Sequence, residues 1–194
     1  MTSKNSFLLS DLANRLSPRR LAHSKAVARW AVALARIHGA DADRAERAGL
    51  LHDAAKEWGP NRLVNYVRRH KISVRGLPDI VLHRRGNLLH GDVASHWAKR
   101  RGLVSDKETR NAMARHTLGH EHMGLLDKII YVADFSSPDR RYAEAARVRR
   151  LARRDLDAAL RAAVGYKIQD VIRRVSFLHP TTVALWNTVC RARP

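Results

Sequence analysis

The segment GLLHDAAKEW, residues 49–58, places two metal-binding side chains next to each other in an otherwise apolar run. His52 and Asp53 are adjacent, and Lys56 follows one helical turn later. An unpaired carboxylate in a protein core costs several kcal/mol, so a buried Asp53 needs a compensating cation. Imidazole and carboxylate groups together suit transition metals, and the two oxygens of a carboxylate can bridge two ions. The segment therefore indicates a metal site.

Four more histidine and aspartate side chains fall on or beside the apolar stripes of other predicted helices. They are His23, His90, His116 and Asp134. One buried histidine is commonly explained by a hydrogen bond to a backbone carbonyl. Six such residues directed into one helical core need mutual compensation, which metal ions bound inside a bundle supply.

The elements that must position these side chains are helices. Ser17-Pro18 is a typical helix start and Gly39 a typical end, and His23 shares its face with Val27, Trp30, Leu34 and Ile37. Asp41 caps a second predicted helix, which carries His52 on its apolar stripe and ends at Gly59-Pro60. Further helices are predicted in NRLVNYVRRH, LLHGDVASHWAKRR, DKETRNAMARH, LLDKIIYVADF, DLDAALRAAVGYKIQDVIRRVSFL and after His179-Pro180.

Three local patterns complete the predicted architecture. Ser105 and Glu108 form a capping-box pattern at the start of one helix, and Pro138 is predicted to open another. The stretch KISVRGLPDIVLHRRGN, residues 71–87, is predicted to be rich in loops. No internal repeat or linker divides the chain, so we predict a single all-α domain over residues 1–194.

Composition narrows the functional class. The 194 residues include 37 Lys and Arg against 18 Asp and Glu, a formal net charge of +19, which favours an anionic partner. Cys190 is the only cysteine, so an internal disulfide framework is excluded and a reducing compartment is favoured. No apolar run approaches the roughly 20 residues that span a bilayer, and the N-terminus lacks a secretion signal. We expect a cytoplasmic protein.

The order His23, His52-Asp53 and Asp134 resembles the HD superfamily of metal-dependent phosphohydrolases. The segments AHSKAVARWAVALA, AGLLHDAAKE, LLHGDVAS, ARHTLG, LLDKIIYVADFSSPDR and FLHPTTVALWN resemble its YqeK family more closely, over about residues 8–188. This resemblance implies an HD-domain helical bundle and symmetrical bis(5'-nucleosyl)-tetraphosphatase activity. Diadenosine tetraphosphate would be cleaved to two ADP by a metal-activated hydroxide at a di-iron centre, and a homodimer is plausible.

The resemblance also assigns roles to individual residues. His23, His52, Asp53 and Asp134 would hold the first ion, while Asp53 would bridge to a second ion that His90 and His116 complete. Asp53 and Lys56 would be catalytic. The expected substrate contacts are Lys56, Thr117, Gly119, His120 and Arg140.

This chain departs from the family pattern in the expected substrate shell. Asp92 stands in LLHGDVAS where the family has LLHGPVGA, and His120 stands where an arginine is common. The segment ADFSSPDR also differs from the family's ADYIEPGR. His83 and His122 are predicted to be loop residues. None of these changes removes an expected metal ligand, but together they leave the preferred nucleotide open.

Two alternatives compete with this hypothesis. The first is an HD phosphohydrolase acting on another nucleotide, and the second is a basic RNA- or ribosome-binding protein with a structural metal site. Seven arginines within residues 140–154 suit the second alternative, but no aromatic side chains are interleaved with them in a stacking pattern. A solvated helix face that attracts an anionic substrate is the preferred interpretation. Ligand type alone leaves manganese, cobalt and zinc open beside iron.

Overall fold

A computed structural model describes residues 4–191 of the chain. These residues form α-helices joined by turns, and no strand occurs among them. The helices are α1 (Lys4–Ala13), α2 (Pro18–His38), α3 (Ala42–Leu51), α4 (Pro60–Arg69), α5 (Leu77–Leu82), α6 (His90–Arg100), α7 (Lys107–Arg115), α8 (Leu125–Ser136), α9 (Ala143–Ala152), α10 (Leu156–Arg173) and α11 (Pro180–Arg191), with a 3₁₀-helix η1 (Gly86–Leu89) before α6. The prediction of an all-α fold is confirmed.

Helix α2 begins and ends where the sequence predicts. The Ser17 hydroxyl accepts a hydrogen bond from Arg20 N, Pro18 occupies the first turn, and Gly39 closes the helix with a φ of 75°. The predicted apolar face is buried as far as Leu34, whereas Ile37 is 46% exposed. Ile37 thus continues this face of α2 in its last turn but is exposed there.

The second predicted helix is shorter than its sequence pattern. Asp41 caps α3 as expected, but α3 ends at Leu51 and residues 52–57 form successive tight turns. Ala54 N donates to Leu51 O and Lys56 N donates to Asp53 O, so each bond spans three residues instead of four. This tighter winding keeps the alanines buried while it turns His52 and Asp53 towards the centre of the bundle.

Two other predicted helix starts were wrong. Asp106, not Ser105, caps α7, because its carboxylate accepts a hydrogen bond from Thr109 N. Pro138 lies in a turn in which Arg140 N donates to Ser137 O, and α9 begins only at Ala143. In both places a nearby side chain or turn competes successfully with the predicted helix start.

The core lies around α8, in which nine residues are buried. Ile129, Ile130, Tyr131, Val132 and Ala133 are all fully buried. Helix α2 lies against α8, and the two are joined by a hydrogen bond from Trp30 Nε1 to Ser136 Oγ at 3.0 Å. Trp30 and Trp97 are both core residues, as predicted.

Across residues 4–191, no helix is both long and apolar enough to cross a lipid bilayer. The loop-rich stretch before α6 contains two short helices, α5 and η1, that were not predicted. The 3₁₀-helix η1 ends at Leu89, so His90 takes the first position of α6.

Candidate metal centre

The six predicted metal ligands lie together inside the bundle, although separate segments of the chain supply them. They are His23 in α2, His52 and Asp53 in the turn after α3, His90 at the start of α6, His116 after α7, and Asp134 in α8. Their ligand atoms form three overlapping groups within 4.8 Å: His23–His52–Asp53, His52–His116–Asp134 and Asp53–His90–His116. The structure thus brings all six side chains within reach of shared ions.

Three imidazole rings are held in the same way by the backbone. The Nδ1 atoms of His52, His90 and His116 each lie 2.7 Å from the carbonyl oxygen three residues earlier. The acceptors are the carbonyl oxygens of Gly49, Asn87 and Met113, respectively. A carbonyl accepts only from a protonated nitrogen, so the proton of each neutral ring is on Nδ1 and the Nε2 lone pair is free to bind a metal.

The Nε2 atoms converge in a way that hydrogen bonds among the rings do not explain. His90 Nε2 lies 2.9 Å from His116 Nε2, yet neither atom carries a proton when both rings donate through Nδ1. His52 Nε2 and Asp53 Oδ1 are buried and have no hydrogen-bond partner. Buried polar atoms without partners are rare, and a cation between these lone pairs would satisfy them together. The donor set therefore fits metal ions.

The carboxylate of Asp53 lies between two groups of histidines. Its Oδ1 atom lies 3.2 Å from His90 Nε2 and 3.5 Å from His116 Nε2. Its Oδ2 atom lies 3.5 Å from His52 Nε2 and accepts a hydrogen bond from Arg20 Nη1 at 2.7 Å. The two oxygens of one carboxylate therefore face two different sets of histidines.

The protonation states in the cluster suit metal binding. Burial lowers the pKa of His52 to about 4, and burial likewise lowers the pKa of His90 and of His116. Burial opposes ionisation of Asp53, but the surrounding imidazoles outweigh it and hold the pKa of this carboxyl well below its usual range. Neutral imidazoles and an ionised carboxylate are the forms in which these groups bind metals.

Both ring nitrogens of His23 lie close to carboxylate oxygens. Its Nδ1 lies 2.8 Å from Asp139 Oδ2, and its Nε2 lies 3.1 Å from Asp134 Oδ1. Burial lowers the pKa of His23, but the hydrogen bonds to Asp134 and Asp139 outweigh burial, so the net direction is upward. Asp139, which was not predicted to contribute, thereby orients the ring from outside the cluster.

A cavity of about 1020 Å³ opens beside the cluster and is lined by Asp134 and by several of the predicted substrate residues. Lys56 Nζ lies 3.2 Å from His90 Nε2, and Thr117 Oγ1 lies 3.0 Å from the same atom. Arg140 also lines the cavity, and its Nη2 donates to Asp134 Oδ1 at 3.0 Å. These three side chains lie between the His–Asp cluster and the open cavity.

The remaining predicted substrate residues do not line this cavity. Gly119 adopts a φ of 75° in the turn after α7 and packs against Leu185, so it shapes the turn. His120 accepts a hydrogen bond from His122 N through its Nδ1. His83 stacks on Phe177 with ring centroids 4.2 Å apart, consistent with the predicted loop position. The contact roles proposed for Gly119 and His120 thus have no support from their positions.

Two basic residues near the cluster were not identified from the sequence. Arg20 precedes His23 by three residues and therefore shares its side of α2. Lys167 lines the cavity, donates from Nζ to His116 O at 3.2 Å, and lies 3.8 Å from the centroid of the Tyr131 ring. Burial lowers the pKa of Lys167 to about 8. Its position three residues after the buried Val164 placed it on the apolar stripe of α10, which was a detectable signal.

Comparison with known proteins agrees with this geometry. The HD domain family model matches residues 20–139. The chain is 30% identical to the symmetrical bis(5'-nucleosyl)-tetraphosphatase of Halalkalibacterium halodurans, covering 89% of each chain, and 30% identical to the protein of the same name from Bacillus subtilis, covering 92% of this chain and 94% of the relative.

A solved structure shares the complete fold. It is a crystal structure described as a predicted HD superfamily hydrolase involved in NAD metabolism from Clostridium acetobutylicum. It superimposes with a TM-score of 0.91 at 31% sequence identity, covering 100% of both chains. The chain therefore belongs to the HD domain family of hydrolases, within the YqeK group whose curated members are named symmetrical bis(5'-nucleosyl)-tetraphosphatases.

Proposed function

We propose that this protein hydrolyses diadenosine tetraphosphate symmetrically, releasing two molecules of ADP, with two divalent metal ions at the His–Asp cluster. The observation that carries the proposal is the position of Asp53, whose two oxygens face separate histidine sets. His23, His52 and Asp134 would complete one ion's ligands, and His90 and His116 the other's. The relatives named for this reaction support the choice of substrate.

The cavity has the chemistry that such a substrate needs. Its basic lining residues are Lys56, Arg140, Lys167, Arg173 and Arg174, and its acidic ones are Asp134, Glu144 and Asp170. The surplus of positive charge suits a polyphosphate chain. Aromatic side chains also line it, and the Phe135 and Tyr166 rings are stacked with centroids 6.1 Å apart. Such rings offer apolar faces to adenine bases.

The reaction requires water to attack an inner phosphorus while the bond from that phosphorus to the central bridging oxygen breaks. Bound divalent ions would supply Lewis acidity and lower the pKa of water. Arg140 and Lys167 would bind phosphate oxygens and offset the negative charge that develops. Lys56, beside His90, is placed to orient the phosphate near the cluster, while Thr117 can donate a hydrogen bond there. Symmetrical cleavage then depends on how the cavity positions the chain.

Iron is the metal that we propose, because mixed imidazole and carboxylate ligands suit it and the YqeK resemblance implies it. The test is product analysis by anion-exchange chromatography after anaerobically prepared protein is incubated with diadenosine tetraphosphate. Ferrous iron, manganese and a chelator are compared in parallel. We expect ADP as the only product, formed with metal and lost with chelator. ATP plus AMP would overturn the proposed bond, and absence of turnover with every metal would overturn the proposed substrate.

A further inference from the structure

A ribbon of aromatic side chains runs from the turn before α4, along α4 to its C-terminal end, and across to α6, outside the residues that line the cavity. It consists of Trp58, Tyr66, His70 and His96, and we call it the α4/α6 ribbon. The Trp58 and Tyr66 ring centroids are 5.5 Å apart, and Tyr66 lies 4.3 Å from His70. His96 joins the ribbon 5.0 Å from His70, and its Nδ1 lies 3.1 Å from the Tyr66 hydroxyl. All four side chains are partly exposed.

Basic side chains surround the α4/α6 ribbon. Arg62 lies over the Trp58 ring, with Cζ 3.8 Å from the centroid, and Arg100 Nη1 lies 3.4 Å from His70 Nδ1. Other exposed basic residues on the same two helices and their ends are Arg68, Arg69, Lys71 and Lys99, apart from Arg101, which pairs with Asp11 Oδ1 at 3.5 Å. None of these six forms an ion pair with a carboxylate in the described part of the chain. Residues 58–78 and 93–105, which contain all six, have no aspartate or glutamate, so no carboxylate within either segment offsets this positive charge.

The arginine-rich stretch 140–154 is different, because several of its side chains serve the fold. Arg149 donates to Ser136 O at 2.7 Å and to Ser137 O at 2.8 Å. Arg153 covers the buried Trp30 ring, with Cζ 4.9 Å from the centroid. The sequence singled out this stretch as the candidate for RNA binding, but the interleaving of rings and cations occurs on α4 and α6 instead.

We infer that the α4/α6 ribbon and its arginines bind single-stranded RNA. Bases that are not base-paired stack on partly exposed aromatic rings. Arginines without a carboxylate partner can contact the phosphates between those bases. The Nε2 atoms of His70 and His96 have no hydrogen-bond partner among the described residues, so both can bond a ribose 2′-hydroxyl. An anionic membrane fits less well, because none of the large exposed hydrophobic side chains lies on α4 or α6. An acidic peptide would leave the continuous ribbon of rings unexplained.

The test is fluorescence anisotropy of the full chain with labelled oligouridylate of about 16 nucleotides at about 0.15 M salt. One variant combines Arg62→Glu, Arg69→Glu and Arg100→Glu. The matched control combines Arg147→Glu, Arg150→Glu and Arg154→Glu, which makes the same change in net charge on α9 and in the turn after it. We expect the first variant to weaken RNA affinity by about tenfold or more and the control by less than about twofold. Equal losses would show attraction by net charge alone and would overturn the inference.

A second comparison separates stacking from charge. Tyr66→Leu preserves every charge, so we expect weaker binding to RNA and unchanged binding to heparin, an anion without bases. If Tyr66→Leu leaves RNA affinity unchanged, or if the protein binds phosphatidylglycerol vesicles in preference to RNA, the inference is wrong. Circular dichroism melting confirms that each variant is folded. Hydrolysis of diadenosine tetraphosphate should be unaffected by these surface changes, so failure of RNA binding is distinguishable from failure of the proposed reaction.

Discussion

Gly49 packs directly against the backbone of Ala28 where α3 crosses α2. A β-carbon at position 49 would lie 2.6 Å from Ala28 Cα and 2.9 Å from Ala28 N. The carbonyl of the same glycine accepts the Nδ1–H of His52. One residue therefore sets both the approach of the two helices and the orientation of the His52 imidazole, a proposed metal ligand.

Gly49→Ala should destabilise the protein, although alanine is the better helix former by about 1 kcal/mol. The clash is with backbone atoms, which cannot move aside as a flexible side chain can, so packing should outweigh propensity. We expect a loss of about 1–3 kcal/mol in the free energy of unfolding, measured by urea denaturation. Gly59→Ala is the control, because a β-carbon there meets nothing within 4 Å. Equal stability of the two variants would contradict this packing argument.

The proposed bridging role of Asp53 predicts a difference in metal stoichiometry. Asp53→Asn should lose both ions and lower turnover by more than about 10³-fold, because it weakens both halves of the cluster. His90→Ala should retain one ion, held by His23, His52 and Asp134. Metal content is measured by mass spectrometry after gel filtration, beside turnover. The control is Asp157→Asn, which removes only a surface ion pair with Lys128. Two ions retained by Asp53→Asn would refute the bridging role.

The periodicity of apolar residues sufficed to predict the convergence of His23, His52 and His116. Each lies on a stripe that must face the core, and a bundle of this size has one core. The backbone carbonyls that orient the histidine rings were harder to predict, because their positions depend on where each turn of the chain ends. Asn87, whose carbonyl orients His90, belongs to a 3₁₀-helix within a stretch that lacks helical periodicity.

Lys167 was missed for a different physical reason. Lys167 continues the apolar stripe of α10, but a lysine on a helix is ordinarily solvated, and its contacts with the Tyr131 ring and the His116 carbonyl join residues that are distant in sequence. The turns at residues 52–57 were also unpredictable from periodicity. A 3₁₀-like winding repeats every three residues, and over six residues that pattern buries nearly the same positions as an α-helix.

Lys167→Met should lower the activity of the protein while raising its thermal stability. Removing this cation from the cavity lining should lower kcat/KM for diadenosine tetraphosphate by about 10²-fold with metal content unchanged. Burial lowers the pKa of Lys167 to about 8, so the folded protein disfavours its charge, and methionine should raise Tm. Lys128→Met on the surface is the control. Loss of activity accompanied by a lower Tm would indicate a structural role instead.

Lowering the pH should destabilise the protein after its metal has been removed with a chelator, because the unfolded chain binds a proton at His52 more readily than the folded chain does. Burial lowers the pKa of His52 from 6.5 to about 4, so between these values the unfolded chain binds a proton that the folded chain does not. Stability from this residue is therefore fully present above about pH 6.5 and is lost as the pH falls towards 4, by on the order of 3 kcal/mol. Urea denaturation across this range should show a shallower pH dependence for His52→Asn than for the unmodified chain. His122→Asn, an exposed loop change, should follow the unmodified profile, and coincident profiles for all three proteins would contradict the prediction.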